Sequence, residues 1–396
     1  MTRQRIALIS SSYFPHAGGV EEHVRHLARE LTARGHTVAV WTVDRGERLG
    51  RQVVDGIEVR YLPAPLPARS ARAVLSYAAR LPSAWRAWTA AYRDLRPDVL
   101  NVQCFGPNGL YALALHHLTR TPLVVSSHGE TFADAHDAFG VSALLRRGLS
   151  RSIEESVLVT GCSSVVLEDL RSRFGLAGGV VVPNGIELAE EAGREPRPPS
   201  WWPERGPVVM GLGRVEENKG FDLLLRAFGQ LVSAGLVPPS TRLVVGGDGS
   251  ALPGLRALAV ELGIADAVIL PGHLSREEVL GSIGRADAFV VPSRVEAFGI
   301  VALEAWRGGA PLIMTNRGGA RDFVTDGVDG VLVDPEDVPV LAAAIARVLT
   351  EPELAKGLAD AGARAVLSHT WPDVASRFER ALAEASPTSA HGVGGR

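Results

Sequence analysis

Lysine is almost missing from this chain: of its 41 basic residues only Lys219 and Lys356 are not arginine. Cysteine is nearly absent as well. Cys104 and Cys162 are the only two, too few for a disulfide framework or a cysteine zinc site. No uncharged apolar run approaches the ~18 residues needed to span a bilayer. The start, MTRQRIALISSSYF, lacks the long apolar stretch of a signal peptide and leads into a glycine turn, so a cytoplasmic location is expected. The 43 Gly and 25 Pro follow no G-X-Y period, which excludes a collagen-like rod. A dense basic stripe is missing from both halves, although residues 1–184 carry 21 Arg against 16 Asp and Glu and the rest carries 20 Lys and Arg against 28. Nucleic acid is therefore not an expected partner.

Several signatures of known chemistry are also missing. A P-loop needs glycine before Lys-Ser/Thr, but here the order is Asn218-Lys219-Gly220. The dinucleotide fingerprint fails where Gly211 and Gly213 are followed by Glu216 in place of a third glycine. No Gly-x-Ser-x-Gly elbow occurs. No Asp-x-Asp is present to hold a metal against a diphosphate, so no metal site and no metal cofactor are expected. His16, His23 and His26 cluster without HExxH and read as helix-surface histidines in preference to a zinc site.

What is present is an ordinary globular chain, 46% hydrophobic and 21% charged, which excludes a mainly disordered protein. At 396 residues it exceeds what one hydrophobic core usually serves. Short apolar runs alternate with helical patterns, as in a parallel α/β sheet. Strands are predicted at Arg5–Ser10, Val38–Val43, Val59–Leu62, Asp98–Gln103, Pro122–Ser127, Val157–Gly161 and Gly179–Val182. A second set follows at Val208–Leu212, Arg242–Val245, Ala267–Leu270, Ala288–Val291, Pro311–Met314 and Gly330–Val333. The clearest helix is Val20–Arg34, where Val20, Val24, Leu27 and Leu31 recur at three or four residues and Gly35 ends the run. Two sets of strands argue for two doubly wound domains. Pro183-Asn184-Gly185 and the charged, proline-rich stretch from Ala189 to Gly206 place a hinge at 185–205. Further helices are predicted at Val338–Leu349, Glu351–Leu367 and Trp371–Ala385, before a disordered tail over 386–396.

Three stretches carry chemistry. His16-Ala17-Gly18-Gly19 leaves a strand and enters a helix, so adjacent glycines could bring backbone N–H groups close to an anion. Taken alone, a tight turn explains them better. The stretch from Gly211 to Asp222 begins at a strand end and offers Arg214 and Lys219 just before a helix. A guanidinium that forks onto two oxygens, with a mobile ammonium beside it, suits a diphosphate. The scarcity of lysine favours that reading over a solvated loop with two ordinary charges. In Val291-Pro-Ser-Arg-Val-Glu296-Ala-Phe-Gly-Ile-Val-Ala-Leu-Glu304, a strand ends, a loop holds Glu296 and a helix is predicted to start at about Phe298-Gly299. The N–H groups of Gly299, Ile300 and Val301 would then be open to an anion. Glu296 suits sugar hydroxyls and Glu304 a ribose diol. A dipole-favouring carboxylate and a solvent-facing helical Glu are the alternatives.

In these residues the chain resembles the retaining nucleotide-sugar glycosyltransferases of glycosyltransferase family 4. The Glu296-x7-Glu304 element resembles theirs, and the likeness covers nearly the whole chain. It takes in Gly18-Gly19, Val182-Pro-Asn-Gly-Ile186, Arg214 with Lys219, Gly246-Gly-Asp-Gly249, Leu270-Pro-Gly272 and Gly318-Gly319. The resemblance implies the GT-B fold, two Rossmann-like doubly wound domains facing across a cleft. Residues 1–185 would bind the acceptor and 186–370 the donor, with helix 371–385 crossing back to the N-terminal domain. It further implies that Arg214 and Lys219 hold the donor diphosphate and that Glu296 hydrogen-bonds the transferred sugar. Ala297, Phe298, Gly299, Ile300 and Val301 would line the donor with backbone, and Glu304 would bind ribose. Gly18 and Gly19 would approach the diphosphate, and the Leu270–Leu274 segment, Leu274 included, would lie near the base. His128 matches the family's histidine beside the sugar, facing the acceptor.

The implied activity is retaining hexosyl transfer from a nucleotide diphosphate sugar, a UDP-sugar in preference to a GDP-sugar, to a hydroxyl of a small molecule, glycan or lipid. His128, Arg214, Lys219 and Glu296 would form the catalytic set. Alternatives are a same-fold synthase or pseudo-glycosyltransferase and a non-catalytic nucleotide-sugar-binding protein. The Arg-rich segment Arg69–Arg96, with Trp85 and Trp88, reads as a solvated amphipathic helix in preference to a membrane-surface one. A monomer or homodimer is expected.

Overall fold

Two sets of apolar runs form two separate sheets. The computed structural model describes residues 3–16, 18–67, 70–133, 138–188 and 197–385. The chain divides into one unit formed by Met1–Asn184 together with the chain from Trp371 onward, and a second formed by Gly185–Thr370. Of the charged, proline-rich stretch read as a hinge, residues 189–196 lie outside the described residues, as does the tail 386–396.

The first unit holds β1 (Arg5–Ser10), β2 (Thr37–Val43), β3 (Arg51–Val54), β4 (Ile57–Leu62), β5 (Val99–Gln103), β6 (Leu123–Ser127), β7 (Leu158–Gly161) and β8 (Val180–Val181). Their order is β3-β4-β2-β1-β5-β6-β7-β8. All neighbours are parallel except β3, which runs antiparallel to β4. The second unit holds β9 (Val208–Leu212), β10 (Arg242–Gly246), β11 (Val268–Gly272), β12 (Ala288–Val291), β13 (Leu312–Thr315) and β14 (Val331–Val333). Its order, β11-β10-β9-β12-β13-β14, is all parallel. Helices cover such parallel sheets on both faces, which is why their inner strands read as unbroken runs of Val, Ile and Leu.

β3 was not among the predicted strands. Its residues Arg51, Gln52 and Val53 are exposed at the sheet edge, so no apolar alternation marks it. The available signal was Asp55-Gly56, both at positive φ (52° and 77°), which is the dipeptide of a tight hairpin turn.

Each unit has its own core. In the first, helix Gly19–Ala33 lays Val24, Leu27, Ala28 and Leu31 against Ile6, Leu8, Val38 and Val40, and helix Trp371–Ala385 adds Val374, Phe378 and Leu382 to the same cluster. A buried carboxylate secures that last helix. Glu379 accepts from Arg34 Nη1 at 2.9 Å and lies 2.9 Å from His36 Nε2. The opposite face of the sheet corrects one expectation. Helix Ala71–Leu95 forms, but Trp88 is fully buried, stacked 5.2 Å from Tyr111 and edge-on to Trp41, with Nε1 donating to Pro63 O at 2.9 Å. The tryptophan anchors the helix to the core, and truncating such a ring to alanine costs about 3–5 kcal/mol. Leu75 on the same helix stays exposed. No helix among the described residues is long and apolar enough to cross a membrane.

Candidate active site

In an open parallel sheet, ligands gather where two neighbouring strands send their connections in opposite directions, beyond the strands' carboxyl ends. In the second unit that point lies between β9 and β12, and the two stretches singled out in the sequence follow those two strands. The loop after β9 passes Gly213 and Arg214, makes a single 3₁₀ turn at Glu217–Lys219 and enters helix Phe221–Ser233. Gly220, at φ 66°, begins that helix under the carbonyl of Pro292, only 2.0 Å from where a Cβ would stand. No other residue fits there.

The loop after β12 is tied to the first by charge. Arg294 donates to both carboxylate oxygens of Asp222 at 2.8 and 2.7 Å, to Glu217 O at 2.7 Å, and through its backbone to Asn218 O at 2.9 Å. Burial alone would raise the Asp222 carboxyl, but the guanidinium fork outweighs it and holds it below its usual range. Glu296 is buried, and its Oε2 accepts from Lys219 Nζ at 2.7 Å and from Ser293 Oγ at 2.9 Å. The backbone of Glu296 is gripped from the far side: its N–H donates to Arg317 O and its carbonyl accepts from Gly319 N–H. A Cβ on Gly318 would lie 1.9 Å from that carbonyl, so the Gly318-Gly319 pair is explained by close backbone approach.

Helix Ile300–Gly308 starts one residue later than expected, with Gly299 as its N-cap at φ 92°. Its first turn closes when Ala302 N–H reaches Gly299 O at 2.9 Å. The N–H groups of Ile300 and Val301 precede that bond, at the positive end of the helix dipole. Ala297 and Phe298 are buried, and the Phe298 ring stacks on Phe323 at 4.6 Å, so the Phe298 side chain faces the core. Glu304 is half-buried in the second turn. Arg214 is exposed. Leu274 is buried against Gly246, while His273 beside it is exposed. The Gly246-Gly-Asp-Gly249 run also answers to contact: a Cβ on Gly247 would meet Gly213 O at 1.8 Å.

In the first unit the corresponding point lies between β1 and β5. Gly18 precedes helix Gly19–Ala33 with no side-chain cap, and Gly19 is exposed; Ala17 lies outside the described residues. His128 follows β6. Its backbone N–H donates to Glu130 Oε2 at 2.7 Å, and its Nε2 lies 2.8 Å from Gln103 Oε1 at the end of β5. Glu130 also accepts from Ser127 Oγ at 2.9 Å and Phe105 N–H at 2.8 Å, and burial outweighs these bonds to push its carboxyl above the usual range.

Here the reading of the histidines is corrected. His23 and His26 are buried, not on the helix surface. His23 sits edge-on to His128 with ring centres 4.6 Å apart, and its Nδ1 lies 2.8 Å from Asn184 Oδ1. Burial holds His23 down to about 4, against the opposing bond to Asn184, and holds His128 well below its ordinary value. His26 stacks flat on Trp371 at 4.8 Å. Gln103 and Glu130 escaped the sequence reading, and His23 entered it only as a surface histidine. Only Glu130, two residues from His128, left a signal there.

Residues 17–190 match the family described as Glycosyltransferase Family 4, and residues 194–365 the family described as Glycosyl transferases group 1. The chain is similar to a glycogen synthase of Mycobacterium tuberculosis, 31% identical over 94% of this chain and 92% of the relative. It is 28% identical to a GDP-mannose-dependent alpha-(1-6)-phosphatidylinositol monomannoside mannosyltransferase of Mycolicibacterium smegmatis, over 90% of this chain and 92% of that one. A sucrose-phosphate synthase from Thermosynechococcus elongatus superposes with a TM-score of 0.79 at 24% identity, covering 97% of this chain and 100% of the other.

Proposed function

The chain belongs to glycosyltransferase family 4 and is a nucleotide-sugar glycosyltransferase with the GT-B fold of two Rossmann-like domains, and from that premise we propose that it transfers a hexosyl group with retention from a UDP-sugar to a hydroxyl acceptor. The observation that carries the reading is the pairing of Lys219 with Glu296, beside the open N–H groups of Ile300 and Val301 and at the carboxyl ends of β9 and β12.

An arriving diphosphate offers Lys219 a better partner than a single carboxylate oxygen. The ammonium turns to the phosphates, Arg214 forks onto them, and the helix start at Gly299 takes the remaining charge. Glu296, still held by Ser293 Oγ, is then free to accept from a hydroxyl of the sugar. Glu304 binds the ribose diol, and the backbone of Ala297 and Phe298 and the Leu274 segment complete the donor site. From the first unit, the Gly18-Gly19 turn serves the diphosphate and His128 the sugar and acceptor.

As the bond to the diphosphate breaks, positive character develops at the anomeric carbon and negative charge on the leaving phosphate. Lys219, Arg214 and the helix dipole are aimed at that negative charge, and preorganised stabilisation of this kind is commonly the largest catalytic contribution. The acceptor hydroxyl attacks the face that the phosphate leaves, and the phosphate takes its proton. With two cations supplied by the chain, no divalent metal is required.

Thermal-shift screening against UDP-, GDP- and other nucleotide sugars tests the donor, because a bound ligand raises apparent stability by mass action. The mannosyltransferase relative makes GDP-mannose the arm to set against the UDP-sugars. The anomeric configuration of the product, read by NMR, tests retention. Full loss of turnover in EDTA, restored by magnesium or manganese, contradicts the metal-independent reading.

A further inference from the structure

The carboxyl ends of the first unit's central strands carry a line of polar side chains where a parallel sheet normally has aliphatic ones. Asn101, Gln103, Ser126 and Thr160, on β5, β6 and β7, are all buried. A buried polar group left unpaired costs about 1–3 kcal/mol, and these four are joined into one relay. Thr160 Oγ1 donates to Ser126 Oγ at 2.9 Å, and Asn101 Nδ2 donates to the same oxygen at 3.0 Å. Gln103 Nε2 donates to Asn101 Oδ1 at 2.6 Å. The relay ends at Gln103 Oε1, 2.8 Å from His128 Nε2.

We propose that Gln103 is a positioning residue that fixes the tautomer of His128, keeping the proton on Nε2 and leaving Nδ1 as a hydrogen-bond acceptor for a substrate hydroxyl. The direction of the relay carries the argument. The amide NH₂ of Gln103 is committed to Asn101, so its oxygen faces His128, and an amide oxygen only accepts. The hydrogen therefore sits on Nε2. Nδ1 has no hydrogen-bond partner among the described residues and retains its lone pair. Two surroundings keep the ring neutral, as the assignment requires: burial, and the edge-on imidazole of His23. The backbone of His128 is held independently by Glu130, so Gln103 governs which nitrogen carries hydrogen and not where the loop lies.

A neutral imidazole with a bare Nδ1 accepts from a hydroxyl and offers nothing to a phosphate oxygen. Its partner is then an –OH of the donor sugar or of the acceptor. This part rests on the assignment of His128 to the reacting sugar made above.

Long-range ¹H–¹⁵N correlation spectra of the ligand-free protein, labelled at histidine nitrogen and recorded near neutral pH, read the tautomer directly. The His128 signals are identified by their loss in His128→Gln. Protonated Nε2 with bare Nδ1 is expected, and the reverse tautomer or a doubly protonated ring overturns the proposal without reference to activity. In Gln103→Leu the two tautomers should mix, while turnover falls roughly tenfold or more with little change in donor KM, on the scale of one unpaired buried group. An unmixed spectrum in that variant also overturns the role of Gln103. A mixed spectrum with unchanged turnover supports the relay but removes His128 from the reacting sugar, which separates failure of the functional reading from failure of the inference.

Discussion

The two units place their candidate residues at equivalent points of similar sheets and hold them by opposite means. The second unit uses charge. Lys219 pairs with Glu296, Arg294 with Asp222 and Arg317 with Asp334, and each pair keeps at least one side chain partly open to solvent. The first unit uses neutral hydrogen bonds under burial, His128 on Gln103 and His23 on Asn184, with the buried Glu130 carboxyl held beside them by two backbone N–H groups and Ser127. A pair of opposite charges can be taken over by a charged ligand, so the second unit suits an anion that must be gripped and released. A satisfied neutral network resists exchange and keeps a ring in one orientation, which suits a group that accepts from a hydroxyl.

The sharpest break of this comparison is removal of the mobile cation. Lys219→Ala should lower turnover by roughly two orders of magnitude or more, the scale seen when one preorganised charge stabiliser is lost. The melting temperature should hardly move, because Glu296 keeps Ser293 as a partner. Wild-type rates with every donor would remove Lys219 from the diphosphate.

Glu296→Ala and Glu304→Ala should then fail differently. Without Glu296, transfer should collapse while the free nucleoside diphosphate still binds. Without Glu304, binding of donor and free diphosphate should weaken alike, because contacts equal in ground and transition states mainly set affinity. Calorimetric titration with each ligand decides, and the opposite pattern exchanges the two roles.

The neutral side of the comparison is tested by pH. His23 is held to about 4 in the folded chain against an ordinary 6.5. As pH falls below 6.5 the unfolded chain takes the proton first, so the stability present above that value is lost on the way down to about 4. Between pH 7 and 5 the loss amounts to about 2 kcal/mol. His23→Gln should flatten the pH dependence of the melting temperature over that range. An equally steep curve in the variant would show that His23 carries none of it.

The smallest effect is expected at Arg294. Arg294→Lys keeps the charge but loses the fork onto Asp222, so the turn carrying Lys219 should loosen and donor KM should rise on the order of tenfold. Unchanged steady-state kinetics would show that the turn stands without it.

Much of the architecture was legible in the chain. β9, β12 and helix Trp371–Ala385 lie at the predicted bounds, and most other elements start or end within a residue or two, because long apolar periodicities leave little choice of structure. The Glu296 and Lys219 stretches were legible as well, since glycines, a rare lysine and spaced carboxylates leave marks in a sequence. Trp88, His23 and Gln103 were not. A tryptophan on an arginine-rich helix reads alike whether it faces solvent or core, and what covers Trp88 is Trp41 and Tyr111 from other elements. His23 borders an apolar stripe, and its burial is completed by Trp371 near the opposite end of the chain. Gln103 ends a strand, where a polar residue is unremarkable.

By itself, the sequence determined two sheets of mainly parallel strands with helices between them, because periodicity and glycine placement act locally and survive without any partner. It also determined the family, through motifs whose order and spacing are written along the chain. Partnership was decided only by the tertiary structure. Lys219 meets Glu296, and His128 meets Gln103, because β9 lies beside β12 and β5 beside β6. That strand order brings together loops distant in sequence, and a hydrogen bond at 2.7 or 2.8 Å depends on separation in space, which residue spacing does not encode.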